Sequence, residues 1–465
     1  MVQWVALFLS LLTVGIARAQ GDLCSPLQVA KIVAADGDTE DLFGISGGLS
    51  GNVAVIGAWA DDENGHWSGS AYIFRFDGSG WIQEAKLLPD DGSPEDRFGF
   101  TTSVDENIAA VGAYLDDDHG DNSGAVYIYR LTGVGWVQEA KLVPSDATAQ
   151  ALFGASVSVS GDLVVVGAVF GDGAASRAGS AYVFRYNGMS WVEEAKLIAS
   201  DGAEQDWFGI SVSAHNGVIV IGANQDSPMG ARSGSAYIYR LQGNTWVQES
   251  KLIASDGYSF DSFGRSVSID GDMAVVGAHL EDDNGTDSGS AYVFRFDGSS
   301  WNQDGKLISL DGAPEDRFGE SVSIRGDVIA VGAVGDDTWG ADAGSAYLFR
   351  RSKSGWVQVA KYYSADITSG DSFGYPVCLS GDQILVGGYN NDDMGVDSGS
   401  AYIFDLNCEL PCLADTNGDG VVSPADFSAW VAAFNAMSPA CDQNGDGACS
   451  PADFSAWVSN YNAGC

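Results

Sequence analysis

Basic residues are scarce in this 465-residue chain: 22 Lys and Arg stand against 63 Asp and Glu, a formal net charge of −41 at pH 7. Such a surface repels nucleic acid and anionic membranes, so neither is expected as a partner. Cations, basic proteins and neutral sugars fit better. Histidine is rare too: four residues (His66, His119, His215, His279) sit at different registers or in loops, with no recurring Ser or Cys beside them. Zinc-type spacing and Gly-rich phosphate loops are missing, so the usual motifs of metal hydrolysis and nucleotide chemistry find no support. Among so many acids no carboxylate pair stands out for acid–base work. The chain reads more as a binder than as an enzyme. Long apolar runs are also lacking. The run from Val5 to Ile16 is short for a membrane span, and with Ala17-Arg18-Ala19 ahead of Gln20 it reads as a secretory signal over residues 1–19. A secreted or surface-held protein with no transmembrane segment is expected.

Glycine, by contrast, is abundant (61 residues) without a collagen period, as many tight turns between short strands require. With 13 Trp, 17 Tyr and 21 Phe, a large core is available. The order among these residues is a repeat. Phe-Gly recurs at Phe43, Phe98, Phe153, Phe208, Phe263, Phe318 and Phe373, a step of 55 residues each time. Gly57 and Tyr72 begin two further series that keep the same step as far as Gly387 and Tyr402. Seven copies without slippage decide the architecture. Within one unit, Ser156–Ser160 alternates, a short turn returns the chain as Leu163–Gly167, and Ala178–Arg185 and Trp191–Ile198 follow. Four short antiparallel strands per unit predict an all-β, seven-bladed propeller with four-stranded blades over residues 20–407.

Closure is written into the ends. The last unit stops after its third strand, and Leu27–Val33 supplies a fourth, with Lys31 in register with Lys86, Lys141 and Lys196. The N-terminal strand is expected to complete the last blade and leave no open edge. Cys24 and Cys408 flank that seam, and a disulfide between them is expected. Cys378, whose register elsewhere holds Gly or Ser, is expected to be a free thiol. The Trp opening each outer strand (Trp81, Trp136, Trp191, Trp246, Trp301, Trp356) is expected to pack between blades.

Phe-Gly followed about 13 residues on by Gly-Ala, seven times between residue 27 and about 406, resembles the FG-GAP repeats of integrin α-subunit propellers and their bacterial relatives. The resemblance implies an adhesion or ligand-binding propeller whose protein or glycan ligand meets one face of the disc. It also implies calcium in an Asp-rich loop between the first and second strands. Here that connection is a turn of two or three residues, as at Ser160-Gly161-Asp162, with no room for six oxygen ligands. The acids lie in the other loops. Asp61, Asp62, Asp116, Asp117, Asp118, Asp282, Asp283, Asp336, Asp337, Asp392 and Asp393 mark the second-to-third loops as a candidate weak metal or ligand face. The loop entering each Phe-Gly carries an Asp in every unit, from Asp36 to Asp366. A second Asp follows five residues later in six of the seven (Asp41, Asp96, Asp206, Asp261, Asp316, Asp371). Turn chemistry and cation binding both account for these acids. The register just after Phe-Gly varies (Ile45, Phe100, Ala155, Ile210, Arg265, Glu320, Tyr375) and is expected to line the top of the central channel. It serves there as a ligand-contacting ring, or as variation tolerated round a water-filled pore.

The C-terminal 408–465 segment changes character: five of the seven cysteines (Cys408, Cys412, Cys441, Cys449, Cys465) fall in it. Two twelve-residue loops repeat 27 residues apart. Calcium-loop spacing places oxygen ligands at Asp415, Asn417, Asp419, Val421 (carbonyl), Ser423 and Asp426, and again at Asp442, Asn444, Asp446, Ala448 (carbonyl), Ser450 and Asp453. Each loop runs into a helix with Ser423 or Ser450 at the N-cap and Pro424 or Pro451 at the first helical position. Phe427, Trp430, Phe454 and Trp457 supply a small core that needs calcium and disulfides as staples. A duplicated loop-plus-helix resembles a type I dockerin, which implies docking onto a cohesin-like module. The family reads its partner through loop positions 10 and 11, here Pro424-Ala425 and Pro451-Ala452, so another surface anchor is an alternative partner. The whole chain is expected to be a calcium-binding adhesion or ligand-binding propeller tethered through this module. The alternatives are a polysaccharide-degrading hydrolase or lyase carrying a dockerin, and a structural envelope protein.

Overall fold

The computed structural model describes residues 26–353, 355–406, 416, 423–436, 438, 441 and 449–463. The expected Cys24–Cys408 pairing lies outside them. The chain divides into two compact units, one spanning Cys24–Cys408 and the other holding the C-terminal helices.

The larger unit is a ring of seven four-stranded antiparallel sheets. β1 is Leu27–Ile32; the first blade follows as β2 (Ser46–Ser50), β3 (Val53–Ala58), β4 (Ser70–Phe76) and β5 (Trp81–Leu87). Gly51, with φ +57°, and Asn52 make the turn from β2 to β3, so the connection holds no loop that could wrap a cation. β3 is buried at every residue, as a strand covered on both faces must be, whereas β5 alternates between covered and open positions. The last sheet closes as expected: β1 pairs antiparallel with Ser400–Asp405, and Lys31 faces Tyr402 as Lys86 faces Tyr72. The ring therefore has no free outer edge at its seam.

The repeat's two glycines have a steric cause. A Cβ on Gly57 would lie 1.9 Å from the carbonyl oxygen of Gly99 in the next blade, and Gly99 itself sits at φ +92°. Adjacent blades thus touch backbone to backbone, which no side chain permits. The Phe of each Phe-Gly fills the space beside that contact. Phe98, for example, meets the rings of Tyr127 and Tyr129 edge-on at 5.5 and 6.1 Å, within a core that also takes Val53, Val55 and Ile73 from the preceding blade. The outer-strand tryptophans pack between blades, and five of them donate an indole N–H to the neighbouring blade's acid, such as Trp191 to Glu139 at 2.8 Å. Trp81 is the exception: its buried N–H has no partner among the described residues, because Val29 of β1 occupies the acid's register at the seam.

In the second unit, α1 (Pro424–Ala436) and α2 (Pro451–Ala463) begin at the predicted prolines. Ser423 and Asp426 cap α1 reciprocally: the Ser423 amide donates to Asp426 at 2.8 Å and the Ser423 hydroxyl accepts from the Ala425 amide at 3.2 Å. Ser450, Asp453 and Ala452 repeat this on α2. A disulfide joins Cys441 to Cys449.

Candidate functional site

Hydrogen-bonding directions and charge resolve the acidic loops into three sets. The first surrounds a lysine. Lys86 Nζ lies 2.8 Å from Asp36, 2.9 Å from Asp61 and 3.1 Å from Glu63, and 5.4 Å from the centre of the Tyr72 ring. The Tyr72 and Ser70 hydroxyls donate to Asp61 from below. Burial works against the ammonium, but Asp36 and Asp61 hold its pKa well above the usual value. The same cage recurs with Lys141 among Asp91, Asp116 and Asp118, and with Lys306 among Asp256, Glu281 and Asp283. Lys251 and Lys361 each have two carboxylates, while Lys31 holds Asp366 and Asp393 at the seam. The second set ties the loop to itself. Asp62, Asp117, Asp282, Asp337 and Asp392 each accept the amide five residues on, at a residue with positive φ. The third set is buried. Asp41, Asp96, Asp206, Asp261, Asp316 and Asp371 accept the amide three residues back. Burial, helped by carboxylates such as Asp61 and Asp116 opposite, pushes Asp41, Asp96, Asp261 and Asp316 up to about 6.

Ile45, Phe100, Ala155, Ile210, Arg265, Glu320 and Tyr375 meet around one cavity of about 360 Å³ in the central channel. A second cavity of about 390 Å³ shares five of these residues and opens among His279, Leu280, Arg317, Val334 and Tyr389. Because those residues come from second-to-third and fourth-to-first loops, this mouth lies on the same face as the lysine cages. Its lining is not sevenfold. The side shared with the first cavity is apolar and aromatic, with the Phe100 and Tyr114 rings 4.2 Å apart and Trp207 against Phe170 in that first cavity. The other side is charged. Arg265 and Glu320 pair at 2.7 Å, and His279 Nε2 stands 3.5 Å from Glu320. Burial holds His279 below its ordinary pKa; it raises Glu320, but Arg265 and His279 outweigh it and hold the carboxyl low.

A family model of the FG-GAP repeat matches residues 26–74, 81–129, 136–184, 191–239, 246–294, 301–349 and 356–404. The chain belongs to the FG-GAP repeat family. Each matched FG-GAP segment opens on an outer strand and ends in the third strand of the next blade, so a repeat unit spans two blades and the first one begins at β1. No curated protein matches the chain closely enough to lend it a function.

The C-terminal residues form a separate candidate. Asp426 and Asp453 are fully buried at the helix starts, and Ser423 and Ser450 adjoin them. The remaining predicted ligands, Asp415, Asn417, Asp419, Val421, Asp442, Asn444, Asp446 and Ala448, lie outside the described residues. Trp430 and Trp457 are buried while Phe427 and Phe454 stay half exposed, 5.9 Å apart. Trp457 reaches Thr416 of the first loop at 3.2 Å, and Trp430 reaches the Cys441 carbonyl just ahead of the second at 3.1 Å. Each helix thus hydrogen-bonds a residue of the other half. Among the described residues, no group of three or more His, Cys, Asp or Glu side chains is arranged to hold a metal ion. Sequence reasoning placed the acids but missed their lysine, whose own 55-residue recurrence marks it as their counter-ion.

Proposed function

We propose that this FG-GAP protein is an exported binding protein that takes its ligand, protein or glycan, at the channel mouth ringed by Ile45, Phe100, Arg265, Glu320 and Tyr375. One observation carries the reading. The repeat is kept at nearly every structural register, yet it diverges in size, polarity and charge around one concave, partly aromatic mouth. A scaffold that needed only to fill its channel would keep one residue type there; six residue types at seven positions give a shaped, asymmetric pocket of the kind that ligands use. The C-terminal unit, in this reading, binds two calcium ions and docks the propeller onto a cohesin-like module or another surface anchor. The pairing of α1 and α2, with buried Asp426 and Asp453 at equivalent places, supports it.

Arrays of glycans and extracellular proteins, probed with the calcium-loaded full chain, test the proposal. Binding is expected, and Phe100→Ala should weaken it about tenfold, the loss of one well-packed aromatic contact. New reducing ends or unsaturated sugars in the bound glycans would favour the polysaccharide-degrading alternative. An array silent throughout would favour a structural role.

A further inference from the structure

The chemistry of the ligand can be narrowed further, resting on the binding reading above. Arg97 and Arg317 occupy the same register in different repeats, so the fold alone does not dictate what their guanidinium groups do. Arg97 is committed: it stacks 4.5 Å from the Trp59 ring and donates to the Tyr114 hydroxyl. Arg317 is exposed and lines the 390 Å³ cavity, and its guanidinium has no hydrogen-bond or ion-pair partner among the described residues. The Tyr375 and Tyr389 hydroxyls in the same cavity have none either. Charge bookkeeping leaves one cation over. Arg265 pairs with Glu320, and His279 stands 3.5 Å from the same carboxylate, so Arg317 is the cation of this mouth with no ion-pair partner among the described residues.

We propose that this mouth binds a single carboxylate of an otherwise uncharged ligand on Arg317, with Tyr375 and Tyr389 as further donors and Phe100 and Val334 against the apolar part. A guanidinium matches a carboxylate two bonds at a time. The limit to one carboxylate comes from the rim. Asp62, Glu63, Asp118 and Asp283 stay more than half exposed on the surrounding loops, and the chain carries −41 overall. A polyanion would have to lie across that rim within reach of its field.

Saturation-transfer NMR on the calcium-loaded full chain tests the assignment with paired small probes: glucuronate against glucose, and N-acetylglutamate amide against its glutamine counterpart. A carboxylate is expected to bind at least tenfold better than its neutral twin, about one charge-assisted bidentate contact's worth. Which carboxylate binds tells a uronic acid from an acidic side chain. Arg317→Gln should lower that binding about tenfold, while Arg325→Gln, exposed at the opposite mouth, should leave it unchanged. No carboxylate binding, equal binding of charged and neutral probes, or indifference to Arg317→Gln overturns the assignment. If neutral probes bind and Phe100→Ala abolishes it, the carboxylate falls while the binding mouth stands.

Discussion

At the scale of the residue, the repeats act as internal replicates of one experiment. Where Asp61 and Glu63 stand in the first blade, the third has Gly171 and Gly173, and where Asp41 stands it has Ala151. Three acids are missing together, which is what a cooperating electrostatic unit predicts: without the second carboxylate the buried one opposite has no role. The seventh blade solves the same contact differently, with Asn391 donating to Asp371 at 3.1 Å where other blades oppose two carboxyl groups. Lys86→Met should therefore expose how the cage is held. It leaves Asp36, Asp61 and Glu63 facing one another with no cation, and Asp61 is buried. A loss toward the lower end of the roughly 3–5 kcal/mol for a broken buried pair is expected, because Asp36 and Glu63 are half open to solvent. Lys196→Met is the contrast. Its carboxylate partner is the half-exposed Asp146, so about 0–1 kcal/mol is expected. Differential scanning calorimetry with and without calcium adds a sharper readout. Calcium, which needs several oxygens, should raise the melting temperature of the Lys86→Met propeller and leave the unsubstituted propeller's transition where it is. A calcium-sensitive propeller in the unsubstituted chain would mean that the ammonium does not fill the site.

At the scale of the element, the close blade-to-blade contact makes a prediction that separates two glycines of the same chain. A Cβ on Gly112 would meet the Gly154 carbonyl oxygen at 2.3 Å and the Thr101 hydroxyl at 2.4 Å, whereas one on Gly133, in a turn between strands, meets nothing within 4 Å. Gly112→Ala should cost about 1–3 kcal/mol or more, since the obstacle is the next blade's backbone. Gly133→Ala should gain roughly 0.4–1 kcal/mol by restricting the unfolded chain. Chemical denaturation reads both, and equal effects would show that the contact is not tight. The same contact explains what the sequence made legible. Glycine and phenylalanine recur because backbone and ring touch a neighbour one repeat away, so seven copies, four strands each, and the closing role of Leu27–Ile32 could all be read from spacing. The lysine cages could not be read as easily. Lys86 and Asp36 are 50 residues apart and meet only when the outer strand folds back over its own blade, so an acid-rich loop looks like an anion surface until the partner strand is placed. Even less legible was Arg317, since its register holds Leu, Trp, Ser and a second Arg (Arg97) elsewhere, and only the pairing of Arg265 with Glu320 makes its charge the surplus one.

At the scale of the whole molecule, small titrations add because the ring multiplies them. Asp41, Asp96, Asp261 and Asp316 are held at about 6 by burial and by the carboxylates opposite, against about 3.9 in an unfolded chain. Between those values the folded propeller binds more protons than the unfolded chain, so its stability must fall as pH rises through the window. The cage acids work in the opposite sense. Burial raises Asp36, Asp91, Asp146, Asp201, Asp256 and Asp366, but the lysine bonded to each outweighs it and draws the pKa below the ordinary value. What they contribute is complete above the unfolded pKa and is lost as pH falls through their lowered ones. Together these give a maximum on the acid side of neutrality, between the two sets. The propeller's melting temperature should rise as pH drops through about 6 toward about 4, then decline once the cage acids begin to protonate. The gain should be on the order of 1 kcal/mol per buried carboxyl after screening at the loop surface is allowed for. Asp96→Asn tests the assignment within one blade. It removes a group that is costly to ionise yet keeps an oxygen for the Ser93 amide. The variant should therefore be more stable than the parent at pH 7.5, with the gap narrowing through about pH 6 and closing at about pH 4, where the unfolded aspartate is also protonated. Parent stability that is flat, or that climbs between pH 5 and 7.5, would show that these aspartates are ionised at no cost, and that the cages alone set the pH response of the ring.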